Sequence, residues 1–353
     1  MSDRRRFLTV IAACTAAVPL AASATRATAA QAVTWRGTAL GALASMTLIG
    51  PERAQARALV QRCVGEIERV ESVFSLYRAD SALSRLNAAG ELRDPPPELL
   101  ELLSQAIGLA RASGGAFDPT VQPLYRLYAD HFARHGASSA GPSPAAVSGA
   151  LRKVGHAGVE LRPDRIRLRR PGMAITLNGI AQGYATDRVA DLLRSAGLRD
   201  ILIDLGEARA HGRRADGGRW QAEVADPRDP QRALLELPLG DEAGAFPALA
   251  TSAGSGTVFG DDPRIHHLFD PATGRSANRY LSVSVAAPRA ALADGLSTTL
   301  SVMPPQRAAA LLAAYPSVRA WVLHPDGRVA ALDGGAQARA DAAPLPGVPA
   351  AGA

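Results

Sequence analysis

Apolar residues recur at three- and four-residue spacing behind Pro51, at Leu59, Val60, Cys63, Ile67, Val70 and Phe74, and predict an amphipathic helix. Ahead of it, Trp35 to Ile49 reads as extended structure. Asp94 and the Pro95-Pro96-Pro97 run predict a second helix start, with Leu99, Leu103, Ile107 and Ala110 as the apolar stripe and Gly114-Gly115 as the stop. Small, proline-bearing sequence from Gly136 to Ala146 marks an exposed connection. Polar and apolar residues alternate from Asp164 to Leu168, as in a half-buried strand. A helix is predicted for Ala181 to Ala196, ended by Gly197, and a short apolar strand for Ile201 to Leu205. Leu281 to Ala287 reads as another strand, and Val322-Leu323, Pro325-Asp326-Gly327 and Val329 to Leu332 as a hairpin. Helices and strands mix without regular βαβ alternation and without a repeat of fixed period, so the expected fold class is α+β.

The two ends break this pattern. Arg4-Arg5-Arg6-Phe7-Leu8 precedes an apolar run from Thr9 to Ala24, and Ala27-Thr28-Ala29 offers small residues for cleavage. Charged, apolar, then small is the order of an export signal, and paired arginines before Phe7-Leu8 match the twin-arginine type. Residues 1–29 are therefore expected to be a signal, residues 30–333 one domain, and residues 334–353, rich in Ala, Gly and Pro, a disordered tail. The expected location is outside the cytoplasm, in the periplasm. A membrane anchor is the alternative for the first segment, disfavoured by its short length and by Pro19. Ile11-Ala12-Ala13-Cys14 also loosely matches a lipoprotein cleavage box, which would anchor the protein through Cys14. With the signal removed, Cys63 would be the remaining cysteine, leaving no internal disulfide. Its place on the apolar spacing of a helix predicts a buried, inert thiol.

Composition narrows the function classes. Hydrophobic residues at 47% and charged residues at 20% fit a globular protein with a sizeable core. The formal net charge of +6 raises the question of a nucleic-acid or membrane partner. The arginines are scattered, however, and the cluster from Arg162 to Arg170 alternates through a predicted strand, as a solvated face does. No nucleic-acid-binding motif accompanies them.

Candidate chemistry lies in four segments. Asp294-Gly295-Leu296-Ser297-Thr298 would place a carboxylate and a hydroxyl on one helix face, hard oxygen donors that suit Mg²⁺. Asp294 as a simple helix cap is the plain alternative. His266-His267-Leu268-Phe269-Asp270-Pro271-Ala272-Thr273-Gly274 pairs two imidazoles with turn residues, but lacks the H-E-x-x-H or cysteine pairs of a zinc site. Asn178-Gly179-Ile180-Ala181-Gln182-Gly183-Tyr184 puts glycines before a helix start, where backbone N–H groups approach an anion or merely turn the chain. It is neither a P-loop nor a good dinucleotide fingerprint. Ala250-Thr251-Ser252-Ala253-Gly254-Ser255-Gly256 is small and polar, a ligand contact or a loop, and not a nucleophile elbow.

In order along the chain, these segments resemble the ApbE family, the FAD:protein FMN transferases. Ser75-Leu76-Tyr77, the run Asp80 to Asn87, and Gly115-Ala116-Phe117-Asp118-Pro119-Thr120-Val121 complete the set, so that the resemblance spans about Thr34 to Met303. It implies a two-lobed α+β domain with FAD in the cleft between the lobes. By position, it implies a metal on Asp294, Thr298 and the Gly179 carbonyl, with Asp294 also needed for catalysis. It places the flavin nucleotide near Leu40, Tyr77, Ala116, Phe117, Asp118, Thr176, Gln182 and Leu268, and makes His267 the acid/base that readies an acceptor hydroxyl. Thr176 stands where the family commonly has Asp, and Leu40-Gly41-Ala42 where it often has Met-Gly-Thr. The implied activity is Mg²⁺-dependent transfer of FMN from FAD to a Ser or Thr of an exported protein, releasing AMP. The implied acceptor motif is Asp-x-x-Ser/Thr-Gly-Ala/Ser-Ser/Thr, often on a membrane redox subunit. Two alternatives use the same residues: hydrolysis of FAD to FMN and AMP, and non-enzymatic flavin binding. Asp270 is a candidate to orient the His267 ring, or a turn residue only.

Overall fold

The computed structural model describes residues 31–332; the predicted signal, Cys14 and the predicted tail lie outside the described residues. The chain opens with β1 (Ala32–Ala39) and β2 (Ala42–Ile49), then α1 (Arg53–Phe74), α2 (Ala82–Ala89) and β3 (Glu91–Arg93). Next come α3 (Pro97–Ala112), α4 (Gln122–Phe132), α5 (Pro144–Leu151), β4 (Val159–Arg162) and β5 (Arg165–Leu168). α6 (Ala181–Ser195) leads into β6 (Asp200–Asp204), β7 (Ala208–His211), β8 (Trp220–Asp226), β9 (Asp229–Leu239) and β10 (Ala248–Ala253). β11 (Ser282–Ala287), α7 (Ala290–Val302), α8 (Pro305–Leu312), β12 (Arg319–Leu323) and β13 (Val329–Leu332) complete the order.

Eight strands form the main sheet, in the order β1-β2-β6-β7-β10-β11-β12-β13, all paired antiparallel. β3-β5-β4 and β8-β9 are separate small sheets. One face of the main sheet packs its Met46, Ile203, Val283 and Val285 against Leu59, Ile67, Leu193 and Leu296 of the helices. The opposite face is covered by β8 and β9, whose Trp220, Val224 and Leu237 bury Ala208, Leu249 and Ala286. Helices on one side of an antiparallel sheet and a hairpin on the other make an α+β domain, as the mixed periodicity predicts. A third apolar cluster, Leu124, Tyr128, Phe259 and Phe269, joins α4 to the segment between β10 and β11.

The strongest periodic signals became the elements they predicted. Leu59, Cys63, Ile67, Val70 and Phe74 of α1 are all buried, and so are Leu99, Leu103, Ile107 and Ala110 of α3. Cys63 is a buried free thiol, and burial pushes its pKa up to about 12. Asp94 does not cap α3. Pro96 holds that position, while Asp94 turns the chain out of β3 with φ of 45° and donates its amide to Asp164. The connection expected from Gly136 to Ala146 is cut short, because Ser143 caps α5 by accepting from the Ala146 amide. The arginine cluster is solvated as expected, and Arg162, Arg165 and Arg169 converge on Glu160.

Two backbone features set the geometry used below. Leu40 and Gly41 close the β1–β2 hairpin with φ of 49° and 84°, the two-residue turn whose twist suits paired strands. Leu40, a residue that rarely adopts this conformation, is held there by its amide, which donates to Glu71 Oε1 at 2.7 Å. In α6, Gly183 touches the start of α7 so closely that a Cβ would lie 2.3 Å from the Ala290 carbonyl oxygen. Backbone on both sides leaves no side chain to move aside. Gly183→Ala is expected to destabilise the domain by about 3 kcal/mol, at the upper end of overpacking costs, which denaturant unfolding measures.

Candidate active site

The predicted site residues come from six separate stretches, and the fold brings all of them to one cleft. Leu40, Tyr77, Ala116, Phe117, Asp118, Thr176, Gly179, Gln182, His267, Leu268, Asp294 and Thr298 all line a cavity of about 590 Å³. That volume is in the range of sites that hold a substantial organic ligand. The β1–β2 turn, the α3–α4 loop, the start of α6, the ends of β6 and β10, and the middle of α7 form its walls.

Asp294 lies inside α7 and is buried, so it does not cap its own helix. Its Oδ2 accepts from the Gly183 amide at 3.0 Å, which caps α6 instead. Thr298, one turn further on, shares a hydroxyl network in which Ser252 Oγ lies 2.7 Å from Ser297 Oγ and 3.2 Å from Thr298 Oγ1. Gly179 completes this corner. A Cβ there would lie 2.9 Å from Thr298 Oγ1 and 3.4 Å from the Phe117 ring, so only glycine lets the backbone come this near. Gln182 packs over Gly206 in the same way, its Nε2 2.6 Å from where a Cβ would stand.

Charge in the cleft is one-sided. Glu71, Asp118, Asp204, Glu207 and Asp294 line it, against Arg78 as the one Lys or Arg among the described residues that does so. Two of these acids are committed elsewhere: Glu71 to the Leu40 amide, and Asp118 to Thr120 and His156. Burial raises the pKa of Asp294 and of Glu207, and Glu207 is raised further by Asp294 and Asp204. Burial also pushes Asp204 up to about 6. Carboxyls so placed are short of positive charge, and a divalent cation would reverse the shift. Among the described residues no three His, Cys, Asp or Glu side chains gather to cage a cation. The donor set is one carboxylate, one hydroxyl and one carbonyl, which fits a hard ion that keeps waters and takes ligand phosphate oxygens.

His267 lines the same cleft. Its Nδ1 lies 3.2 Å from the Thr257 carbonyl, and the tautomer with the proton on Nδ1 satisfies that contact and leaves Nε2 as a base. Burial, followed by the neighbouring His266, pulls its pKa down to about 4, although the ring keeps partial exposure on the cleft. Asp270 does not orient it: its Oδ1 accepts from the Ala272 amide and serves the turn. The zinc alternative also fails, since the His266 ring centre is 6.4 Å from that of His267 and His266 Nδ1 accepts from the Leu268 amide. The unfolded chain binds a proton near pH 6.5 that folded His267 refuses until about 4. Stability from this group is therefore present above 6.5 and lost as pH falls through that window. Thermal melts across it are expected to show a smaller loss for His267→Gln than for the wild type.

Asp118 is more enclosed than a ligand contact needs to be. Oδ1 accepts from the Thr120 amide and hydroxyl at 2.8 and 2.5 Å, and Oδ2 accepts from the His156 amide at 2.8 Å, with His156 Nδ1 at 3.1 Å. Its carboxylate holds the loop together, so its cleft contact is through the loop. Thr176 accepts from the Asn178 amide at 3.2 Å, a turn that Asp would also make, but without the charge. Tyr77 is 72% exposed on the rim, across from Leu43 at 61%. Sequence reasoning missed Asp204, Glu207 and the pairing of Ser252 with Ser297. The available signal was a pair of acids in an otherwise apolar stretch from Ile201 to Ala208.

Comparison with known proteins agrees with this geometry. A Treponema pallidum protein named FAD:protein FMN transferase is 31% identical over 302 residues, covering 80% of this chain and 81% of that one. A Vibrio cholerae protein of the same name is 32% identical over 250 residues, covering 69% and 73%. The solved flavin transferase ApbE of Vibrio cholerae superposes with a TM-score of 0.74 at 29% identity, covering 86% of this chain and 98% of that one. The ApbE protein of Thermotoga maritima gives 0.72 at 26% identity, covering 85% and 96%. The family's sequence pattern matches residues 40–322, a span that holds the whole cleft, and the chain belongs to the ApbE family.

Proposed function

We propose that this protein transfers FMN from FAD to a Ser or Thr hydroxyl of another protein, releasing AMP. The observation that carries the reading is the convergence on one cleft of His267, the oxygen donors around Asp294 and every residue expected to touch the nucleotide. In the reaction the acceptor oxygen bonds to the phosphorus of the FMN half, and the anhydride bond to AMP breaks. The hydroxyl proton passes to His267 Nε2, which is unprotonated near neutrality, although burial holds it below the near-neutral pKa that best suits a general base. The flavin half lies along Leu40, Tyr77, Phe117 and Leu268, apolar or aromatic surfaces that exclude water from the ring. Gln182 and Thr176 offer polar contacts, while Ala116 and the loop fixed by Asp118 leave room for close backbone approach.

Asp294, Thr298 and the Gly179 carbonyl are the residues that would hold Mg²⁺. When bound, the ion neutralises the diphosphate and the charge that grows on the leaving phosphate. The excess of carboxylates in the cleft supports this reading, because a dianionic substrate would otherwise be repelled. The acceptor we infer is an exported protein, such as a membrane redox subunit, bearing Asp-x-x-Ser/Thr-Gly-Ala/Ser-Ser/Thr. Export of this chain through its first 29 residues would place the two in one compartment.

The test combines the domain, FAD, Mg²⁺ and an acceptor domain with that motif. In-gel flavin fluorescence on the denatured acceptor, absent with EDTA and with Asp294→Ala, is the expected result. Metal-dependent AMP without labelled acceptor would point to hydrolysis, and flavin binding without either product would point to a carrier.

A further inference from the structure

α6 and α7 each begin without a side-chain cap of their own, at Ile180 and Arg289. Four amides at such an end lack helical partners, and buried ones must find acceptors elsewhere. Each helix finds them on the other. Asp294 of α7 accepts from Gly183 of α6, and Asp187 of α6 accepts from Ala290 at 2.9 Å and Ala291 at 3.0 Å, the first two residues of α7. Asp187 is 1% exposed and is itself held by the Arg209 guanidinium and by Arg289 Nε at 3.2 Å. Gly183, with no side chain, lets the two ends meet.

This exchange ties the cation corner together. Asp294 and Thr298 ride on α7, whereas the Gly179 carbonyl belongs to the loop that enters α6. Sliding one helix against the other would separate Thr298 from Gly179. We propose that Asp187 is a positioning residue for this corner: by accepting both leading amides of α7, it sets Asp294 and Thr298 against the Gly179 carbonyl. The proposal rests on the reading of those three groups as the cation ligands. Asp187 touches neither cation nor nucleotide; it acts through α7, as outer partners of ligand groups do.

The experiment measures Mg²⁺ uptake directly, by the rise in melting temperature of the FAD-loaded domain as Mg²⁺ is added. Two variants are compared with the wild type. Asp187→Asn keeps the shape and loses the charge. Asp187→Glu keeps a charge for Arg209, which guards against the unfolding that an unpaired buried arginine would cause, but displaces the two caps. Circular dichroism verifies the fold. In both, half-saturating Mg²⁺ is expected to rise about tenfold or more, while FAD binding without metal stays as in the wild type. The rate at saturating Mg²⁺ is expected to recover most of the loss, splitting metal affinity from turnover. Folded variants that melt earlier but take up Mg²⁺ as tightly as the wild type would overturn the positioning role. A wild type whose melting and activity ignore Mg²⁺ would overturn the cation reading and this inference with it.

Discussion

Asp294→Asn is expected to lower flavin transfer by about a thousandfold, the loss of several kcal/mol of charge stabilisation at the diphosphate. The substitution isolates charge from architecture. An asparagine oxygen still accepts from the Gly183 amide, so α6 keeps its cap. The folded protein should suffer little. Burial already disfavours the ionised carboxylate, so without metal the Asn variant should melt no earlier than the wild type. Transfer assays, melting curves and FAD binding measured together distinguish this result from simple unfolding, in which all three fail at once. A variant that transfers flavin at the wild-type rate would remove Asp294 from the mechanism.

His267→Ala is expected to slow transfer by about a hundred- to ten-thousandfold, the usual worth of a positioned general base. Its signature should differ from that of Asp294. The Mg²⁺ dependence should stay as in the wild type, since His267 supplies no oxygen ligand. The pH dependence should change. In the wild type the rate falls as acid protonates Nε2, with a midpoint near 4, and is flat from there to neutrality as far as this group is concerned. In the variant that acid limb should disappear. A variant that keeps both the rate and the acid limb would assign the base elsewhere.

The candidate site was legible as an order of short segments and not from any one of them. A glycine-bearing helix start, a carboxylate and hydroxyl four residues apart, and a His-Leu-Phe-Asp-Pro turn each carry a plain structural reading alone, and it is their succession along the chain that resembles the family. The helices α1, α3 and α6 were legible for a different reason: each buries a stripe that only a helical period aligns. β8, β9 and β10 gave weaker patterns. β9 carries a run of exposed polar residues from Asp229 to Ala233 before its buried half, and its pairing with β8 shifts register at Ala225. α7 was read only as a site segment, because its small residues, Ala290, Ala291, Ala293, Gly295 and Ser297, are buried on nearly every side and leave no stripe.

What the sequence determined by itself was local: the periods of the long helices, the turn chemistry, and the identities of the groups that hold or move charge. Tertiary structure decided what those groups are for. Asp294, which the sequence leaves as a cation ligand or a cap of its own helix, caps another helix. Asp118, which the resemblance places at the nucleotide, holds Thr120 of its own loop with one oxygen and His156, ahead of β4, with the other. Asp270 reads as a partner of His267 and proves to serve a turn. Asp187 carries no signal in the sequence, yet links the helix that bears Asp294 and Thr298 to the one that follows Gly179. A carboxylate's role depends on which donors reach it, and for Asp294 and Asp187 those donors lie 111 and 104 residues away in the chain. Contacts of that range are set by packing, which no local pattern encodes.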